Sequence, residues 1–394
     1  MPLADATGLH LHPLFKPLLY AARVPSADPE HLREKLACLT DWPGLLSLAG
    51  YHRLAPLLYR AVQTDEQAAP ASALQVLREG AQHHLGRSLY LAAELSKLLE
   101  TLKGQGLEAV PFKGPVLEAL LYGAPGLRCM DDLDLFVNPE AVQRLDGCLR
   151  ELGFRPELEL HGSQAALYRA TQVELAYTRE DPCLNVDVHW GIAPPGFSFA
   201  PDPREWLGRL MPVQRGSFSA QTFGLEDTLL LLCQHGSKHG WGCLSWSRDV
   251  AALLTAHPEL NASCVAERAR RMGLECMVAL GTRLSSELFE CKIPPALDAL
   301  AARAPDLKYL KQAVYADLLR DRRPAMQTFS ASLIYPRSMA SWRDRWRCYL
   351  RPSIKDWQAF RLPAPLYPLY YVLRPGRLIF KRRVAADSKK TTGK

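Results

Sequence analysis

Apolar residues recur at three- and four-residue spacing through residues 8–103, which is the period of an α-helix with one buried face. The longest such pattern spans residues 73–104. The same period returns after Leu225 and predicts a second group of helices, at residues 226–240, 247–257, 263–273, 275–290 and 306–320. We therefore expect helical regions on both sides of a different central segment.

In the central segment the apolar period shortens to two, which is typical of β-strands with one buried face. Strands are predicted at residues 107–113, 132–137, 154–160, 172–178 and 184–190. Helices are predicted between the strands at residues 115–122 and 139–152, and the last two strands are predicted to form a hairpin. This order predicts an α+β fold, in which helices pack on a small mixed β-sheet.

Changes in composition divide the chain into four predicted regions. They are an N-terminal helical region (1–104), an α/β core (105–200), a C-terminal helical domain (201–328) and a basic, aromatic and Pro-rich tail (329–394). Residues 192–206 are rich in Pro and Gly, and we interpret them as a boundary loop or a lid on the substrate side. The last eight residues, DSKKTTGK, are predicted to be disordered.

Nearly half of the 394 residues are apolar, so the chain can bury a large core. Its ten cysteines form no Cys-x-x-Cys pair and lie in apolar segments, as expected of reduced thiols in a cytoplasmic protein. The first fifteen residues lack the order of a signal peptide, and no apolar run reaches the roughly 18 residues of a membrane span. These features predict a soluble cytoplasmic protein.

The net charge of +7 is concentrated in the tail, because residues 343–394 contain 14 Lys and Arg residues but only three Asp residues. This stretch also interleaves Arg with Trp and Tyr. Such a composition fits contact with an acidic membrane surface or a nucleic acid. It also fits a strap whose aromatic residues pack on the domain while the arginines face solvent. We favour the strap, because the aromatic residues lie close to prolines.

Three acidic residues of the central strands are the strongest candidates for chemistry. Asp132 and Asp134 are two positions apart and share one face of their strand, and Asp187 shares a face with His189. Neighbouring carboxylates repel each other and raise each other's pKa unless a cation lies between them. A divalent metal ion accounts for such a cluster, and the alternative is a set of solubilising acids. Asp131 points to the opposite face or lies in the loop, so we exclude it.

An ordered set of motifs accompanies these acids. It consists of Lys113-Gly114, Arg128, Asp132 with Asp134, Asp187-Val188-His189-Trp190, and residues 235–249. In this order the chain resembles the bacterial uncharacterised nucleotidyltransferase family of the DNA polymerase β-like superfamily. The resemblance covers about the middle third of the chain. It implies a nucleotidyltransferase core flanked by helical regions.

The resemblance implies a Mg²⁺-dependent enzyme that moves an NMP group from an NTP to an acceptor and releases pyrophosphate. The acceptor class stays open among small molecules, peptides and proteins. Asp132, Asp134 and Asp187 would be catalytic and would hold two Mg²⁺ ions, with Mn²⁺ as an alternative. Asp187 would serve mainly the metal that activates the acceptor.

The phosphates of the nucleotide are expected to bind Lys113, Gly114 and Arg128. Lys113 and Gly114 precede a predicted helix, whose free N–H groups attract anions, and Arg128 can clamp a phosphate. Lys113 could instead form an ion pair with an acid of the site. The superfamily's usual Gly-Ser is Gly114-Pro115 here, and Pro115 has no N–H to donate to a phosphate.

Three histidines are candidates for the substrate cleft. His189 lies on the strand of Asp187, and His235 and His239 are four residues apart on one helical face. His189 could instead be a half-buried strand histidine, and we interpret His235 and His239 as part of the joint between the sheet domain and the C-terminal helices. Zinc binding by the pair is disfavoured because no HExxH glutamate accompanies it.

Two other functions are compatible with the same residues. A DxD-type glycosyltransferase would use the acids to bind a metal on a nucleotide-sugar diphosphate. A non-catalytic, nucleotide-binding partner protein is suggested by Pro115 at the phosphate turn.

Overall fold

A computed structural model of the chain describes residues 13–24, 28–63, 65, 67–180, 183–318, 333–360, 362–374 and 376–377. The last eight residues, which are predicted to be disordered, lie outside these ranges. So do residues 8–12 of the predicted N-terminal helical region. None of the helices within them is long and apolar enough to cross a membrane.

Among the described residues five helices precede the sheet, as the apolar period predicts: α1 Phe15–Ala21, α2 Pro29–Ala37, α3 Trp42–Tyr51, α4 Ala55–Val62 and α5 Ala71–Gly104. The start of α3 is fixed by Asp41, whose side chain accepts a hydrogen bond of 2.8 Å from the backbone N–H of Gly44. Such a cap satisfies one of the free N–H groups at a helix start. The 34-residue α5 confirms the longest predicted helix.

The central sheet has five strands in the order β1-β2-β5-β4-β3. They are β1 Ala109–Pro111, β2 Asp132–Val137, β3 Arg155–Pro156, β4 Glu174–Arg179 and β5 Leu184–His189. Strands β2 and β5 are parallel, whereas the other three pairings are antiparallel. The mixed sheet and the β4–β5 hairpin are confirmed, but β1 and β3 are shorter than predicted.

Three helices connect these strands: α6 Gly114–Leu121, α7 Val142–Glu151 and α8 Gly162–Thr171. The first two agree with the sequence pattern. Helix α8 was not predicted, because within it only Tyr168 is buried and the apolar period is weak.

The segment after the sheet is more regular than a loop. It contains a short helix, α9 Pro203–Leu207, within the predicted Pro- and Gly-rich loop. A second sheet follows, formed by the antiparallel strands β6 Leu210–Arg215 and β7 Phe218–Phe223. The sequence pattern did not predict this hairpin, which turns at Gly216 with φ +59° and packs on β1 through β7.

The C-terminal helices confirm the second helical group. They are α10 Leu225–Lys238, α11 Leu244–Ala256, α12 Ala262–Met272, α13 Glu275–Phe289, α14 Pro295–Asp298 and α15 Leu307–Leu318. Helix α13 lies at their centre, where it packs against α10, α11 and α15.

The sheet separates two apolar cores. The front core joins Phe136 of β2 to the N-terminal helices, including Phe15 and Leu18 of α1, and to the C-terminal helices. The back core contains Leu133 and Leu135 of β2 together with α7 and the C-terminal half of α5. Because side chains alternate along a strand, the face that carries Asp132, Asp134 and Phe136 points towards the front core.

The tail packs on the back core in part. Its described helices include α16 Trp342–Leu350 and α17 Ile354–Ala359. Trp357 is buried and stacks on Tyr370 at 5.0 Å, which agrees with the strap interpretation. Trp342 and Trp346 are instead 66% and 62% exposed.

Candidate active site

The predicted acids meet on one face of the sheet. In the parallel pairing of β2 with β5, Asp134 lies opposite Asp187 and Asp132 lies opposite Asn185. Paired residues on neighbouring strands point to the same face of a sheet. The structure therefore brings Asp132, Asp134 and Asp187 together, as the sequence pattern predicts. Asp131 lies outside the strand and pairs with Arg53.

Asp134 is the most buried of the three, with 4% of its surface exposed. Its Oδ1 lies 2.6 Å from Nζ of Lys113, the residue that precedes α6. Burial opposes ionisation of Asp134, but Lys113 and then His189 outweigh it and hold the pKa of this carboxyl well below its usual range. Lys113 thus forms the ion pair with an acid that the sequence left as an alternative.

The negative charges of the other two acids are less well neutralised by nearby cations. Burial, reinforced by the negative charge of Asp134, raises the pKa of Asp187 to about 6. The same two causes, in the same order, raise the pKa of Asp132. A cation between these carboxylates would lower both values, because an opposite charge favours the ionised form.

His189 completes the cluster. Its Nε2 lies 3.3 Å from Asp134 Oδ1, and its Nδ1 lies 3.5 Å from Glu174 Oε2. The Nε2 atom is buried and has no hydrogen bond of good geometry to any residue that the structure describes. Glu174 in turn binds Nζ of Lys238 at 3.0 Å. A chain of close polar contacts therefore runs from Asp134 through His189 and Glu174 to Lys238.

The donor set fits a divalent cation. One ligand atom each from Asp134, Asp187 and His189 lies within 4.8 Å of the other two. Carboxylate oxygens are the ligands that Mg²⁺ and Mn²⁺ prefer, and imidazole is compatible with transition metals. The ligand atom of His189 can be its Nε2, which is buried and has no hydrogen bond to any described residue. Asp132 shares the face but is not a member of this three-residue cluster.

The cluster opens into a cavity of about 420 Å³, within the usual size range of ligand pockets. His235, His239 and Trp246, from the C-terminal helices, also line this cavity. The two histidine rings are 4.5 Å apart, and His239 lies 5.3 Å from Trp246. Burial lowers the pKa of His239 to about 4 and that of His235 well below its usual value, so both rings are neutral.

Arg128 lies at the edge of the same cavity. Its Nε donates to Asp249 Oδ2 at 3.0 Å, and Tyr122 donates to the other oxygen of Asp249 at 2.6 Å. Burial opposes the charge of Arg128, but Asp249 outweighs it and raises the pKa of the guanidinium. Its two terminal nitrogens donate no hydrogen bond to any described residue. They remain available to an anion.

Gly114 is required by the backbone. Its φ of +53° lies in the left-handed region, and a Cβ at this position would lie 3.3 Å from the carbonyl oxygen of Asp132. The residue lets the chain turn sharply from Lys113 into α6, while Lys113 itself reaches Asp134. Phosphate binding by Gly114 stays a prediction.

Sequence reasoning missed Glu174 and Lys238 as residues of the site. Glu174 lies opposite His189 in the β4–β5 hairpin, so a predicted register would have found it. Lys238 lies between His235 and His239 in sequence, but no local pattern links it to Glu174.

A mixed sheet that presents Asp134 and Asp187 on one face, beside a lysine at the end of the preceding strand, is the arrangement expected of the nucleotidyltransferase class. The chain belongs to the family described as "Uncharacterised nucleotidyltransferase", whose model matches residues 39–290. This range covers well over half of the chain and includes every candidate site residue. The resemblance and the enzyme class are confirmed.

Among solved structures, the chain is similar to an antigenic nucleotidyltransferase-like protein from Paracoccidioides brasiliensis. The two are 16% identical, and the alignment covers 53% of this chain and 96% of that chain with a TM-score of 0.32. A search of curated proteins gave no match.

Proposed function

We propose that this nucleotidyltransferase moves an NMP group from an NTP to an acceptor and releases pyrophosphate, with divalent metal ions as cofactors. The observation that carries the proposal is the cluster of Asp134, Asp187 and His189 inside the 420 Å³ cavity. Family membership supports the nucleotide as substrate.

Asp132, Asp134 and Asp187 would hold the metal ions, which we propose to be two Mg²⁺ or Mn²⁺ ions. When bound, they supply positive charge at the leaving pyrophosphate and at the acceptor oxygen. Asp187 would lie nearest the acceptor and would also accept its proton.

The nucleotide would lie along the cavity. The free terminal nitrogens of Arg128 are placed to donate to phosphate oxygens, and Lys113 adds positive charge beside Asp134. The base would stack on the ring of His239 or Trp246, both of which line the cavity. In this arrangement the phosphates of the nucleotide would lie at the sheet, and its base would lie at α10 and α11.

The test compares Asp187→Asn with wild type and with Asp131→Asn. Asp131 is adjacent to the site in sequence but exposed, so its variant controls for loss of one carboxylate. We expect Asp187→Asn to retain NTP binding in calorimetry with Mg²⁺ and to lower pyrophosphate release by about 10²-fold or more. Asp131→Asn should behave as wild type in both assays.

Equal pyrophosphate release from wild type and Asp187→Asn would show that Asp187 is not a catalytic residue. Tight NTP binding by wild type, without pyrophosphate release across a broad acceptor screen, would indicate a binding protein instead of an enzyme. Hydrolysis of a sugar nucleotide without NTP turnover would indicate the glycosyltransferase alternative.

A further inference from the structure

A second cavity adjoins the proposed nucleotide cavity. It measures about 310 Å³ and lies between the start of β4 and the tail segment that leads into α17. Glu174, Asp187 and Lys238 line both cavities. A molecule in the second cavity would therefore reach the acid that is proposed to serve the acceptor.

The second cavity has a largely apolar interior. Its walls include Tyr168, Phe197 and Tyr335, together with Ile192 and Ile354. Such a lining suits the hydrocarbon or aromatic body of a small molecule and gives little binding energy to a fully polar one.

The charged groups of the cavity differ in how well they are paired. Lys238 is bound to Glu174, and Arg374 donates to Asp356 at 3.0 Å as well as to two backbone carbonyls. Glu157 also lines the cavity but is exposed and accepts a hydrogen bond from Gln358. The two cations, Lys238 and Arg374, thus already have acidic partners.

Arg351 has no such partner. It donates to the backbone carbonyl of Thr171, and it forms no ion pair with a carboxylate of any described residue. Burial lowers the pKa of its guanidinium to about 10, although neighbouring tyrosines and Glu174 oppose the shift. A half-buried guanidinium without a counter-ion is costly unless an anion completes it.

We propose that the second cavity binds the acceptor, and that the acceptor combines an apolar body with an anionic group held by Arg351. This inference rests on the proposed function, because it takes Asp187 as the residue that faces the acceptor. In the reaction, the acceptor oxygen forms a bond to the α-phosphorus, the bond from that phosphorus to the pyrophosphate oxygen breaks, and the acceptor proton passes to Asp187. Pyrophosphate leaves with the electron pair of the broken bond.

The anionic group of the acceptor can be a carboxylate or a phosphate, since a guanidinium binds both through paired N–H donors. Three probes of similar size separate these possibilities: 3-phenylpropionate, phenyl phosphate and the neutral 3-phenylpropionamide. None of them needs to react, so calorimetry measures their binding without turnover.

We expect wild type to bind at least one of the two anions about tenfold or more tightly than the amide. Arg351→Gln should abolish this preference, and Arg351→Lys should keep part of it because the charge remains. Arg343→Gln is the matched control, since Arg343 is an exposed arginine of α16 that contacts Trp342. It should retain the full preference of wild type.

Equal affinity of wild type for all three probes would overturn the inference, and this comparison needs no variant to fold. An anion preference that survives in a folded Arg351→Gln protein would also overturn it, because the anion would then bind elsewhere. NTP binding with Mg²⁺, measured on the same samples, reports separately on the proposed function. If wild type shows no anion preference but binds NTP, the acceptor site alone is rejected. If wild type shows the anion preference but does not bind NTP, the nucleotide site alone is rejected.

Discussion

Replacement of Lys113 by methionine removes the ammonium group that pairs with Asp134 but keeps a side chain of similar length. The pair is buried, with 18% of the Lys113 side chain and 4% of the Asp134 side chain exposed. At 2.6 Å the attraction is worth roughly 6 kcal/mol with an effective dielectric constant of about 20. The variant no longer pays the desolvation of the ammonium, so the net loss of unfolding free energy should be about 3–5 kcal/mol.

The same change should strengthen metal binding. Without the ammonium group, Asp132, Asp134 and Asp187 face one another with less positive charge nearby, and a divalent ion gains a stronger attraction. A ligand at about a hundred times its Kd raises the unfolding free energy by about 2.7 kcal/mol. Mg²⁺ should therefore restore much of the stability of Lys113→Met and should stabilise wild type less at the same concentration.

Urea denaturation with EDTA and with Mg²⁺ measures both effects. Lys311→Met is the matched control, because Lys311 forms a partly buried ion pair with Glu287 in the C-terminal helices. It should lose stability that Mg²⁺ does not restore. If Mg²⁺ stabilises wild type, Lys113→Met and Lys311→Met by the same amount, the assignment of Lys113 as counter-ion of a metal cluster is wrong.

Two further predictions concern the helices around the site. His52 is buried beside the N–H of Leu244, and burial lowers its pKa to about 4, so its stabilising neutral form is lost as pH falls from about 6.5 to 4. His52→Asn should flatten the pH dependence of unfolding free energy in that window by up to about 3 kcal/mol, and an unchanged slope would contradict the burial argument. A Cβ on Gly236 would lie 2.6 Å from the Trp241 ring, so Gly236→Ala should cost about 1–3 kcal/mol in urea denaturation. Gly80→Ala, on an open helix face, should instead gain up to about 1 kcal/mol, and similar values for both glycine variants would count against the packing argument.

The elements that sequence predicted best are those with a strong period. Strand β2 matches its predicted bounds because acids and leucines alternate over its first four positions and two further apolar residues complete it. The β6–β7 hairpin escaped prediction because Pro212 interrupts the first strand and most side chains of the two strands are partly buried or exposed. Periodicity reports burial, so an element that buries little gives a weak signal.

The residues of the candidate site also differ in how well the sequence predicted them. The shared face of Asp132 and Asp134 follows from local spacing, and the resemblance supplied Asp187. The contact between Arg128 and Asp249 joins residues 121 positions apart, and the link from His189 through Glu174 to Lys238 depends on the register of a hairpin. Such partners are set by tertiary packing, which no short sequence pattern encodes.

The front core limits how far the N-terminus of this protein can be truncated. Helix α1 precedes the family match at residues 39–290, yet Phe15 and Leu18 are buried among the helices at the other end of the chain. Backbone contacts reinforce this closure, since the N–H of Val24 donates to the carbonyl of Phe289 at 3.3 Å. A fragment trimmed to the matched range would leave apolar residues of α13 uncovered and prone to aggregation. The range that matches the family model is therefore shorter than the folding unit of this protein.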